Sequence, residues 1–85
     1  MISFTYTVTD PLGLHARPAG LLAITAKKCV SSIIIMKNEK RADAKRLIGL
    51  MGLGIKQGDT ITIEVSGEDE ESVTEQLQHF FEKNL

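Results

Sequence analysis

The sequence predicts a two-layer α+β domain in which helices cover one face of a β-sheet and the other face meets water. The first observation is the order of segments, which is strand, helix, strand, strand, helix, strand, helix along 85 residues. The second is that the predicted strands have one apolar face, so only one side of the sheet needs cover. Chain length and an apolar content of 42% fit a single domain, residues 1–85, that buries one core.

Two segments alternate apolar and polar residues with the period of a half-buried strand. In the segment 2–8 the even-numbered positions are apolar, and in the segment 60–65 the odd-numbered positions are apolar. The β-branched run at 33–36 predicts a third strand. The sequence KNEK, residues 37–40, predicts a hairpin turn into a short fourth strand around residues 41–42.

Three further segments have the spacing of helices. Apolar side chains recur at helical intervals between Ala16 and Lys28. The segment from Glu68 to Asn84 shows the clearest pattern, with apolar residues at 73, 77, 80 and 81. The segment 47–53 is short, apolar and interrupted by glycines, which predicts one or two helical turns that end at a glycine.

The stretch GLHARPAG, residues 13–20, holds the candidate chemistry. Proline is tolerated in the first turn of a helix, so Pro18 places the helix start near Ala16 and His15 at or beside the N-cap. The N–H groups of Ala16 and Arg17 then have no partner in the helix and form a site for an anion at the positive end of its dipole. Arg17 adds a guanidinium suited to phosphate oxygens. A histidine here can carry a covalent phosphoryl group, and the competing interpretation is that His15 only caps the helix.

Composition excludes several other classes of function. Cys29 is the only cysteine, so the chain has no internal disulfide and no cysteine-rich metal site, and we predict neither a metal nor a cofactor. The N-terminus lacks the pattern of a signal peptide. No apolar run reaches the length of a membrane span. We therefore expect a cytoplasmic protein without membrane insertion.

The charge of the chain is unevenly distributed, although the net charge is only −1. Residues 1–56 contain nine Lys or Arg against three Asp or Glu, whereas residues 57–85 contain one against eight. The basic part can meet acidic partner proteins or phosphate. Nucleic acid is disfavoured as a partner because stacking aromatic residues are few.

GLHARPAG, followed by AKRLIGLMGLGIKQGD at residues 44–59, resembles the histidine-containing phosphocarrier family, HPr, of the phosphoenolpyruvate-dependent sugar phosphotransferase system. The similarity runs over nearly the whole chain. It implies an open-faced β-sandwich, a four-stranded antiparallel sheet covered on one face by three helices (βαββαβα). It also implies that His15 accepts a phosphoryl group on Nδ1 from enzyme I, with Arg17 in contact with the phosphate, and passes the group to the A components of sugar permeases. Such a protein is a monomeric stoichiometric carrier that uses no cofactor and is not an enzyme.

The resemblance marks a docking surface as well. Leu47, Ile48 and Met51 match an exposed apolar patch that binds partners, although composition alone favours core positions for the apolar residues of 47–53. Lys27 and Lys45 are candidates for pairing with acidic partner rims, and the alternative is that both are plain solvated lysines.

Three positions depart from the family pattern. Arg46 stands where many members have a serine, which a regulatory kinase phosphorylates in the Gram-positive branch, so this regulation is not expected here. Arg46 either attracts acidic partners or is an ordinary surface residue. Leu12 replaces a small polar residue beside the histidine. Glu39 replaces a turn glycine, so we expect Asn38 to adopt the turn conformation. These departures leave a second hypothesis open, an HPr-like regulatory or binding module in a non-sugar phosphorelay, for example a nitrogen-related one.

Overall fold

Four strands and three helices follow one another in the predicted order βαββαβα in the computed structural model, which describes all residues, 1–85. The strands are β1 (Ile2–Thr7), β2 (Ser32–Lys37), β3 (Lys40–Asp43) and β4 (Thr60–Ser66), and the helices are α1 (Ala16–Lys27), α2 (Leu47–Met51) and α3 (Glu70–Asn84). None of the helices combines the length and apolarity that a membrane span requires.

The strands form one antiparallel sheet in the order β1-β4-β2-β3. The last strand in sequence, β4, therefore lies in the middle, and its Ile63 is paired with Phe4 of β1 and with Ile35 of β2. Alternation along β4 buries its odd-numbered residues and leaves Thr60 and Ser66 exposed. The predicted open-faced sheet is confirmed.

The core lies between this sheet and the helices. The sheet contributes buried isoleucines and valines, and the helices contribute mainly leucine and alanine, with Phe81 of α3 fully buried. Phe81 stacks on Tyr6 of β1 at a ring-centroid distance of 5.5 Å and meets Phe4 edge-on at 6.2 Å. This aromatic contact fixes the C-terminal part of α3 against the edge strand.

The predicted boundaries differ from the observed ones by one or two residues. The first strand ends at Thr7, and the amide of Val8 donates to Asp59 O, at 2.9 Å, just beyond the last paired residues, Thr7 and Thr60. The last helix begins at Glu70 rather than Glu68. The expected turn conformation of Asn38 is confirmed by its φ of +55°.

Asp69 joins the end of α1 to the start of α3. Its carboxylate accepts hydrogen bonds from the Val30 amide at 3.0 Å, from the Ser31 amide at 2.9 Å and from the Ser31 hydroxyl. The Ser31 hydroxyl is the main cause that lowers the pKa of Asp69, and the Val30 amide is the next. Because Asp69 is also the N-cap residue of α3, its carboxylate ties the start of α3 to the segment that follows α1.

We predict that Asp69→Asn lowers the stability of the protein at neutral pH. A carboxyl with a depressed folded-state pKa stabilises the fold above its unfolded-state pKa, about 3.9, and this contribution is lost as the pH falls through the lower folded-state value. The urea midpoint of Asp69→Asn should thus lie below that of the wild type at pH 7, and the two should converge in acid. Glu75→Gln, at an exposed position of the same helix, is the control. Equal midpoints at pH 7 would contradict this role for Asp69.

Candidate functional site

His15 occupies the N-cap position of α1, as the sequence predicts. Its backbone is extended, with φ −97° and ψ −177°, and its side chain makes no capping hydrogen bond. The side chain is half-buried. The competing interpretation, in which the ring serves to cap the helix, is therefore wrong for this structure, and the ring nitrogens are not used by the helix.

The first amides of α1 are left without acceptors. The first helical hydrogen bond runs from Ala19 N to His15 O at 3.0 Å, and Pro18 has no N–H. The amides of Ala16 and Arg17 precede this bond, belong to exposed residues and donate no hydrogen bond within the chain. Two donors at the positive end of the helix dipole are therefore free, and this position is the candidate anion site that the sequence predicts.

The loop between β1 and α1 holds the backbone of His15 at this position through hydrogen bonds and close packing. Asp10 accepts the Leu12 amide on its carboxylate at 2.8 Å and the Gly13 amide on its carbonyl oxygen at 2.9 Å. Leu14 is buried and its amide donates to Ile55 O at 3.1 Å. Gly13 has φ +65°, and a Cβ at this position would lie 2.8 Å from the Cα of Lys56. The backbone ahead of the ring is thus held close against the chain at Ile55 and Lys56.

A shallow cavity of about 260 Å³ opens beside the ring. The start of α1 contributes His15, Arg17, Pro18 and Leu21 to its lining, the end of α3 contributes Lys83 and Asn84, and the loop between β1 and α1 contributes Asp10. Lys83 and Asn84 were not among the site residues predicted from the sequence. The one available signal was that Lys83 is the only Lys or Arg in residues 57–85.

The apolar run at 47–53 divides into two sets. Leu50 and Leu53 are buried, while Leu47 is 40%, Ile48 84% and Met51 41% exposed. The last three are the residues that the resemblance marks for docking. Their helix, α2, packs against α1, the helix that begins beside His15.

The basic residues expected at the docking surface occupy different places. Arg46 is the exposed N-cap residue of α2 and makes no capping hydrogen bond. Lys45 precedes it and is half-buried. Lys27 is exposed in the last turn of α1, about 17 Å along the helix from Ala16, so it lies away from the free amides at the helix start.

The cysteine and the second histidine of the chain lie apart from the His15 cavity. The Cys29 thiol donates to Thr25 O at 3.3 Å, and its pKa is raised, chiefly by burial and then by the charge of Asp69. His79 is 77% exposed on α3, 3.9 Å from Glu82. No group of three or more His, Cys, Asp or Glu side chains has an arrangement that could hold a metal ion.

The fold and the site define a small α+β domain with an uncapped histidine and free amides at a helix start. The chain matches the family model described as "PTS HPr component phosphorylation site" over residues 2–83. It is 47% identical over 72 residues to the phosphocarrier protein HPr of Lysinibacillus sphaericus, an alignment that covers 85% of this chain and 82% of the relative. It is also similar to the crystal structure of HPr-C-His from Thermoanaerobacter tengcongensis, with TM-score 0.91, 38% identity and coverage of 96% and 92%. The chain therefore belongs to the HPr family, the phosphocarriers of the phosphotransferase system.

A further similar structure concerns the oligomeric state. Crh, the Bacillus subtilis catabolite repression containing protein, is described as an intertwined dimer with a swapped domain. It matches with TM-score 0.77 and 32% identity over 100% of this chain and 98% of that one. The monomer expected from the sequence stays a prediction.

We predict opposite effects for the same substitution at two glycines beside the site. Gly13→Ala should lower the free energy of unfolding by about 1–3 kcal/mol, because alanine is strained at positive φ and its Cβ meets the Lys56 backbone. Gly20→Ala should raise it by up to about 1 kcal/mol, because this position lies inside α1 and its Cβ would meet nothing within 4 Å. Urea denaturation measures both. Changes of the same sign would contradict the assigned backbone strain.

Proposed function

We propose that this chain is a stoichiometric phosphoryl carrier, which accepts the group on His15 from enzyme I and passes it to the A components of sugar permeases. The observation that carries the proposal is the uncapped His15 ring beside the free amides of Ala16 and Arg17. The HPr relatives support it, since they are phosphocarrier proteins by name.

The proposed transfer uses the lone pair of His15 Nδ1. This nitrogen forms a bond to phosphorus while the bond from phosphorus to the donor breaks, and the donor keeps the electron pair of that bond. In the second transfer the acceptor attacks phosphorus, and the electron pair of the phosphorus–nitrogen bond returns to the ring. The chain ends unchanged, so it acts as a reactant shared by two partners.

The surroundings of the ring suit a group that must be held and then released. The amides of Ala16 and Arg17 and the Arg17 guanidinium offer charge-assisted hydrogen bonds, worth roughly 1.5–3 kcal/mol each. Arg17 takes part in no ion pair within the protein, so its donors are available. The cavity is open and shallow, which leaves the phosphoryl group accessible to a second protein.

We predict that His15→Ala abolishes phosphorylation by enzyme I and phosphoenolpyruvate. Intact-protein mass spectrometry should show the addition of one acid-labile phosphoryl group to the wild type and none to the variant. The chain offers a matched control, since it has only two histidines. His79→Ala removes the exposed ring on α3 and should be phosphorylated at the wild-type rate. Unchanged uptake by His15→Ala, or loss of uptake in His79→Ala alone, would refute the assignment.

The docking surface proposed for partners is the patch Leu47, Ile48 and Met51. Three exposed apolar side chains lie close together on one short helix, which is typical of a binding site. Arg46 and Lys45 stand at the start of the same helix, and we propose that they meet acidic groups at the rim of a partner, with Lys27 further along α1.

Because Arg46 has no hydroxyl, we propose that the chain lacks regulatory serine phosphorylation at this position.

We predict that Ile48→Ala weakens transfer to an acceptor without weakening the fold. Ile48 is 84% exposed, so its truncation removes partner contact rather than core packing. The KM for the phosphorylated chain in transfer to an A component should rise roughly 5- to 30-fold, as expected for an anchor residue of an interface. Val30→Ala truncates another exposed apolar residue, 72% exposed and located beyond the end of α1, and should leave KM unchanged.

The same assay distinguishes the two functional hypotheses. Transfer to A components of sugar permeases supports the sugar pathway, whereas transfer only to acceptors of a non-sugar relay would replace it. A KM for Ile48→Ala equal to the wild-type value would exclude the patch as the docking surface.

A further inference from the structure

The cavity beside His15 is built from two helices, although the sequence motif comes from one. The end of α3 reaches this cavity because Leu85, the residue that follows the helix, is bonded to the loop ahead of α1. The amides of Thr9 and Asp10 both donate to a Leu85 oxygen, at 2.6 and 2.8 Å, and the Leu85 side chain is buried. Lys83, two residues earlier, is thereby held at the wall of the cavity.

The charges that face the cavity are few. His15 and Arg17 come from α1, Lys83 from α3 and Asp10 from the connecting loop. Neither Arg17 nor Lys83 forms an ion pair, and Asp10 directs one carboxylate oxygen to the Leu12 amide. Two unpaired cations from different helices therefore border the space next to the ring.

Asn84, the other residue that α3 contributes, is less available. Its side-chain amide donates to Phe80 O at 3.0 Å, within α3 itself. Lys83, in contrast, is exposed and carries three N–H donors on a flexible stem. A compact ammonium of this kind binds phosphate as a point charge.

We propose that the Lys83 ammonium is a second cation for the phosphoryl group carried on His15, acting from α3 while Arg17 acts from α1. This role rests on the proposed phosphorylation of His15. The phosphoryl group has a negative charge that the Lys83 ammonium attracts, and the attraction is stronger for the dianion than for the monoanion. Lys83 therefore favours the fully ionised phosphoryl group and lowers the pH at which the group gains a proton.

The experiment loads the protein without any partner. Phosphoramidate phosphorylates histidine chemically, since its phosphorus–nitrogen bond breaks with loss of ammonia as the bond to the ring forms. The phosphorus NMR signal that disappears in His15→Ala is then followed against pH at about 0.15 M ionic strength. Under these conditions charges more than about 8 Å away are largely screened, so the readout reports on neighbours of the group.

In Lys83→Gln the titration midpoint of this signal should rise by about 0.3–0.7 pH unit, a two- to fivefold gain in proton affinity, as expected for loss of an exposed ion pair. Lys83→Arg keeps the charge and should titrate like the wild type. Lys40→Gln removes an exposed lysine on β3 and is the matched control with no expected shift.

An unshifted midpoint in Lys83→Gln, or an equal shift in Lys40→Gln, overturns the role of Lys83 while the carrier function stands. A wild-type protein that shows no signal dependent on His15 overturns the carrier function itself, and the role of Lys83 with it.

Discussion

The uncapped start of α1 is the constraint on which the rest of the site depends. A helix start in most proteins is closed by a side chain that satisfies its first amides. Here the N-cap residue is a histidine whose ring makes no such bond, so the amides of Ala16 and Arg17 face outward. The arrangement costs helix stability and is held by the surrounding backbone. Gly13 lies close against Lys56, and Leu14 is buried and bonded to Ile55, so the backbone that leads to His15 is held in place.

The exposed apolar side chains of α2 follow from the small size of this helix. A five-residue helix cannot turn every apolar side chain inward, and this one buries Leu50 while Ile48 remains 84% exposed. Because α2 packs against α1, the exposed side chains belong to the layer that also presents His15. A partner that covers the apolar surface would approach the helical layer of the domain, and the opposite face of the sheet would remain free.

Local patterns in the sequence predicted most of the fold and half of the site. Pro18 fixed the start of α1, and with it the positions of His15 and the two free amides, because the rules for a first helical turn are local. The division of the 47–53 run could not be predicted from periodicity alone, since a run of seven residues, five of them in α2, holds too few turns to define a face. The family resemblance supplied it. Lys83 was missed for a different reason. Its distance from His15 depends on how the end of α3 is bonded to the loop before α1, through Leu85 and Asp10, and no local pattern encodes that contact.

The direction of α3 explains where the charges of the C-terminal part of the sequence lie in the fold. The acidic residues 68–71 stand at the start of α3, where Asp69 bonds to Val30 and Ser31 beyond the end of α1. They lie a whole helix length, roughly 20 Å, from the end of α3 that borders the cavity beside His15. The dipole of α3 favours acids at its start and a base at its end. The distribution that stabilises this helix therefore also keeps its acidic start away from His15 and places Lys83 at the wall of the cavity that His15 lines. The same arrangement of charge suits both the helix dipole and the proposed binding of an anion.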